Sequence, residues 1–200
     1  MSGDNTTDSG LKGSFGGLSG AQQPASVSGF AHPESDAILE EAMGILAQIP
    51  AGKRLLDVKI EYNMPVTVIM GREFNYNTPD ETSLYVMVPP DYKKKPELTA
   101  TALANGIRDL EQSVIGFTRP SKEIDPVEYA SMTFSKSLDI IMNMCIIADE
   151  LKEKLGYSKP LDFLFDLGHY NVYKAYKADA DYNEIVDIFV EGEKEAYEGN

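Results

Sequence analysis

The chain has 200 residues, 42% hydrophobic and 25% charged, with a formal net charge of -14 and a sequence pI near 4.5. That length can bury one good hydrophobic core or two small ones. The acidic balance argues against general nucleic-acid binding, which needs clustered Lys and Arg, and against adsorption to anionic membranes. A single cysteine, Cys145, rules out an intrachain disulfide. No run approaches the ~18 apolar residues of a membrane span, and "MSGDNTTDSG" has neither a basic nor an apolar signal region. A cytoplasmic location is therefore expected.

Residues 1–33 are rich in Gly, Ser, Thr and Asn. Their apolar content is too low to offset the entropy of ordering, which predicts a flexible arm ahead of one domain over 34–200. The glycines lack phosphate-loop spacing. Phe15, Leu18 and Phe30 are candidate anchors for a partner. "PESDAILEEAMGILAQI" follows as a helix, with Ser35 as N-cap and an apolar stripe of Ile38, Ala42, Ile45 and Ile49. "PAG" at 50–52 breaks it, and "KRLLDVKIEYN" fits either helix or strand. "PVTVIMG" (65–71) and "SLYVMVPP" (83–90) read as strands around the turn-rich "NYNTPDETS". Two neighbouring strands joined by turns predict a small, mainly antiparallel sheet. "DYKKKPE" (91–97) is the best basic patch, and a solvated loop is its preferred reading.

"PELTATALANGIRDLEQ" (96–112) predicts a helix. Leu103, Ile107, Leu110 and Val114 form its buried face, and Asn105, Asp109 and Gln112 a polar stripe opposite. "GFTRPSKEIDP" interrupts. A helix of about thirty residues then ends at "ADELKEKLG", with Gly156 as C-cap. Ile140, Met144, Ile147, Leu151 and Leu155, widened by Ile141 and Cys145, make it the expected centre of the core. Cys145 reads as a core thiol and the methionines as core filler. "PLDFLFDLGHYNVYKAYKADA" and "DYNEIVDIFVEGEKEAY" predict two shorter helices. The fold class expected is α+β and predominantly helical.

The residues of common catalytic sites are scarce. Hydrolytic zinc needs about three protein ligands and an open position. The chain has only His32 and His169, without helical pairing. No G-x-S-x-G nucleophile elbow appears. Carboxylates are so numerous that spacing nominates no pair.

The element order and the segment "ANGIRDLEQ" (104–112) resemble a bacterial zincin-like metallopeptidase domain family, whose active-site helix carries a segment like A-H-E-L-R-H-x-x-Q. The resemblance covers about 38–157. Ala104, Arg108 and Gln112 match the flanking positions. Asn105 stands at the first His ligand, Gly106 at the general-base Glu and Asp109 at the second His. On the long helix "SLDI" (137–140) aligns with the family's acidic motif, Ser137 replacing the third ligand and Asp139 being retained. The resemblance implies a zincin-like domain, and the departures imply loss of metal affinity and of water activation.

Three functions are then open. The first is a catalytically inactive domain that binds a protein partner, with no metal or cofactor. The second is a hydrolase with a remodelled site, in which Asp109 and Asp139 hold Mg2+ or Mn2+. The third is a subunit of a larger assembly, with Tyr170, Tyr173, Tyr176 and Tyr182 offering contact surface.

Overall fold

Seven helices and three strands are arranged in the computed structural model, which describes residues 34–80, 82–116 and 125–198. The expected arm, with Phe15, Leu18, Phe30 and His32, lies outside the described residues. Helix α1 spans Ser35–Leu46. Its N-cap position is Glu34, not Ser35, and no side chain caps it. Glu34 instead accepts a hydrogen bond from the Tyr92 hydroxyl and pairs with the Lys93 ammonium, which anchors the start of the helix. Helix α2 spans Pro50–Glu61 with proline in its first turn, so the ambiguous "KRLLDVKIEYN" is mostly helical. A Cβ on Gly52 would lie 2.4 Å from the Leu46 carbonyl oxygen, so glycine lets α1 and α2 meet at a tight corner. The exposed N-terminal amides of α2 need an acceptor, and Ala51 N–H donates to Glu150 Oε2 at 2.9 Å from far along the chain.

Strands β1 (Val66–Met70), β2 (Asn75–Asn77) and β3 (Leu84–Val88) form one sheet in the order β1-β3-β2. The expectation of a mainly antiparallel sheet needs correction. β1 pairs with β3 in parallel over five residues, and only the shorter β2 is antiparallel. The cause lies in the turn-rich link. It contains a strand of its own, so the chain reverses twice between β1 and β3 and returns in the original direction. Asp80 holds the second reversal by accepting from the Thr82 and Ser83 amides, which keeps its carboxyl below the usual range.

A short 3-10 turn at Tyr92–Lys94 leads into α3, Pro96–Val114. Lys93 and Lys94 are exposed there, as the solvated reading of the basic patch expects. Fifteen of the nineteen α3 residues are buried, which makes this helix the centre of the first core. Leu103, Ile107 and Leu110 face that core, while Val114 in the last turn is exposed. Each fully buried aliphatic side chain contributes about 2 kcal/mol. The polar stripe opposite is buried as well.

Helix α4, Pro126–Leu155, has the length and C-terminus expected, and Gly156 closes it at φ 77°. It is shared rather than central. Ile147 and Leu151 join the first core with α1, α2, α3 and the sheet, whereas Leu138, Met144, Cys145 and Ala148 join a second core. The second core is completed by α5 (Lys159–Asp166), α6 (Tyr170–Lys177) and α7 (Tyr182–Glu198). Three helices therefore stand where two were expected. Gly168, at φ 86°, turns the chain between α5 and α6. Tyr173 and Tyr176 pack against this second core, and Tyr170 and Tyr182 are exposed.

His169 sits at the α5–α6 corner and is buried. Burial lowers its pKa from 6.5 to about 4. The folded chain therefore resists a proton that the unfolded chain accepts, and stability falls as pH drops below about 6.5. Between pH 8 and pH 5 the expected loss from this residue is about 2 kcal/mol. Denaturant titrations of the wild type and of His169→Gln should diverge by that amount at pH 5, relative to pH 8. Parallel curves would show that the ring is not desolvated.

Candidate functional site

The site is built where the polar stripe of α3 meets α4. A buried polar stripe needs polar partners, because an unpaired buried group costs about 1–3 kcal/mol. Helix α4 supplies them from Lys136, Asp139 and Asn143, at i, i+3 and i+7 on one face. Pairing runs in opposite directions along the two helices. Asn143 Nδ2 donates to Asn105 Oδ1 at 3.3 Å. Arg108 grips Asp139 through two bonds, Nε to Oδ2 at 2.6 Å and Nη2 to Oδ1 at 2.7 Å. Lys136 Nζ lies 2.6 Å from Asp109 Oδ1, close in charge but not aligned as a hydrogen bond.

Flanking groups close the seam. Thr78, just after β2, donates its hydroxyl to Asp109 Oδ2 at 2.8 Å. Gln112 Nε2 donates to Asp139 Oδ2 at 2.6 Å, while its own Oε1 is buried without a partner. Arg108 Nη1 reaches Glu111 Oε2, and Arg54 of α2 reaches Glu111 Oε1, both at 2.5 Å. Six formal charges thus cancel: Arg54, Arg108 and Lys136 against Asp109, Glu111 and Asp139. Hydrogen bonds to Asp139 first, and to Glu111 next, raise the Arg108 pKa and fix its charge.

Each of the positions singled out in the sequence can now be located. Asn105 and Asp109 lie one turn apart in the seam, and Asp139 of α4 joins it through Arg108 and Gln112. Gly106 points elsewhere. A Cβ there would lie 2.2 Å from Leu84 Cδ1, so a leucine of β3 fills the place beside the glycine. Ser137 is half-buried and lies about 100° round α4 from Lys136, off the seam. The structure sets Asn105, Asp109 and Asp139 along one seam, each with its own partner, and leaves Gly106 and Ser137 outside it.

These residues do not fit a zinc ion. The carboxylate of Asp109 already faces an ammonium at 2.6 Å, and that of Asp139 is spanned by a guanidinium. Among the described residues no three His, Cys, Asp or Glu side chains converge as a metal-binding group. Cys145 offers no nucleophile. It is fully buried, and burial, with Asp149 nearby, pushes its thiol up to about 12.

A second polar cluster ties α6 to α4. Asp149 accepts from the Tyr173 hydroxyl at 2.7 Å and from Lys177 Nζ at 2.8 Å, and Lys177 also meets Glu153 at 3.0 Å. Burial, then the bond to Asp149, pushes the Tyr173 hydroxyl up to about 12. The tyrosine therefore stays a neutral donor, which suits it to holding two helices together.

Lys136, Thr78, Arg54 and Glu111 were not singled out in the sequence. The signal for Lys136 was present, since it shares a helical face with Asp139 and Asn143. Thr78 and Arg54 carry no such periodicity, because their role depends on how β2 and α2 cross α3. No protein-family profile, curated protein or solved structure matches the chain. No described helix is long and apolar enough to cross a membrane.

Proposed function

We propose that the chain is a non-catalytic module of metallopeptidase-like ancestry that serves by binding or holding another protein. The closed α3–α4 seam carries this reading. The positions that would bind and activate a metal-held water carry instead an amide pair at Asn105 and Asn143, an ion pair at Asp109 and Lys136, and a packed leucine beside Gly106. Chemistry that needs an open coordination position has no room on that face. The face acts as a joint, which suits a scaffold. Tyr170, Tyr182, Ile60 and Ile115 are exposed on other elements and offer apolar contact area.

The test is zinc content and peptide turnover on protein purified without chelator. The expected result is no stoichiometric zinc and no cleavage. Tightly bound zinc at one per chain with chelator-sensitive cleavage would overturn the proposal. Added Mg2+ or Mn2+ is likewise expected to leave the melting temperature unchanged. A rise that disappears in Asp109→Ala and Asp139→Ala would favour the carboxylate-site enzyme instead.

A further inference from the structure

The sheet has a face that none of the described helices covers. Side chains alternate along a strand, and the register settles which way each points. Val66 and Val68 align with Leu84 and Val86 and, with Val88, face the helices, while Met70 at the strand end is exposed. Thr67 and Ile69 align with Tyr85 and Met87 and face the other way, and Asn75 and Asn77 pair beside them from β2. The helices packed most closely on the strands are α1 and α3, both on the Val68 side. Ile69, Tyr85 and Met87 belong to neither buried core, although each is half-buried. The face thus has an apolar centre bordered by Thr67, Asn75 and Asn77.

We propose that this outer face is the docking site of the chain's own N-terminal segment, residues 1–33, seated through Val27 and Phe30. The proposal is independent of whether the domain has metallopeptidase ancestry. Size decides against a free-standing partner. Three strands ~4.8 Å apart, rising ~3.3 Å per residue, present only about 240 Å² of surface. A stable interface between separate proteins buries about 800 Å² on each side. A tethered segment needs far less, because its effective concentration is in the millimolar range.

Charge decides against a second copy, which would bring another body of net charge -14 to the same face. The segment carries only Asp4, Asp8 and Lys12 among Asp, Glu, Lys and Arg, with His32 near its end, and its apolar residues include Val27 and Phe30. Geometry allows the contact. The segment joins the domain at Glu34, which is held by Tyr92 and Lys93 just beyond the end of β3. At ~3.3 Å per residue the extended chain is at most about 13 Å long to Phe30 and about 23 Å to Val27, so Val27 has the length to pass the sheet edge.

The experiment uses the full-length chain with Ser28→Cys, labelled by a benzophenone maleimide. Cys145 is fully buried and stays unlabelled. Illumination, digestion and mass spectrometry should give crosslinks within one chain to residues 67–69 and 85–87. Their yield should fall roughly tenfold when Ile69→Lys and Met87→Lys put ammonium groups on the face. Those two substitutions lie outside both cores, so an unchanged far-UV circular dichroism spectrum with a single cooperative melt serves as the folding control. Crosslinks to another surface, crosslinks between two chains, or none at all would overturn the proposal.

Discussion

Replacing Arg108 by methionine is expected to lower the stability of the domain by about 3 kcal/mol. The stem of the side chain keeps its packing, but Asp139 loses both of its guanidinium bonds and Glu111 loses one of its two partners. Removing one member of a buried charged pair costs about 3–5 kcal/mol. Asp139 is 37% exposed and water shields it in part, which places the expectation at the lower end. Glu111, 9% exposed, keeps only Arg54, whose side chain is 54% exposed. Urea titration should show the midpoint falling with an unchanged slope. Adding Asp139→Leu to the same chain should recover about half of the loss, since the stranded carboxylate is then gone. A loss under about 0.5 kcal/mol for the single variant would mean that the seam is a surface decoration.

Gly106→Ala is expected to cost about 1–3 kcal/mol, against the direction of helix propensity. Alanine is the better helix former by about 1 kcal/mol, so an open position would show a gain. Here the new methyl would lie 2.2 Å from Leu84 Cδ1 and 3.1 Å from its Cγ, and Leu84 is itself enclosed in the core. Helix and sheet must separate, or the leucine must leave its rotamer. Trimming Leu84 to alanine costs about 2–5 kcal/mol alone, through the cavity it leaves. In the Gly106→Ala background the same trimming should cost clearly less, because the alanine methyl takes part of that space. Thermal or chemical melts of the four chains give the coupling directly. Additive losses would place α3 farther from β3 than the structure has it.

Much of the fold was legible because local pattern and tertiary role agreed. The stripe Leu103, Ile107 and Leu110 is buried as its spacing requires, and the two strands rich in Val and Ile form the parallel pair of the sheet. Gly156 closes α4 because the left-handed region favours its backbone. Misreadings arose where one residue type served a distant partner. Ser35 has the side chain that ordinarily caps, yet α1 starts from Glu34, whose carboxylate is committed to Tyr92 and Lys93. The turn-rich link concealed β2, whose three residues are too few to show a period. The α5–α6 corner depends on one glycine inside an otherwise helical pattern. At the site, the polar stripe on α3 was visible, but not that it is buried. An isolated helix with Asn105, Asp109 and Gln112 on one side looks solvated until a second helix with matching charges is laid against it.

The hydrogen bond from Ala51 to Glu150 spans 99 residues of sequence. That separation sets an order of events during synthesis. At about 5–20 residues per second, the first turn of α2 waits several seconds or more for the carboxylate that caps it. Over the same interval α3 stands without Lys136 and Asp139, and its buried carboxylates have no α4 to meet. The amino-terminal half of the chain can therefore collapse early but matures late, when the long helix arrives and adds Ile147 and Leu151 to the first core. Slower translation past residue 126 is then expected to lengthen the time for which this half is exposed to chaperones and proteases.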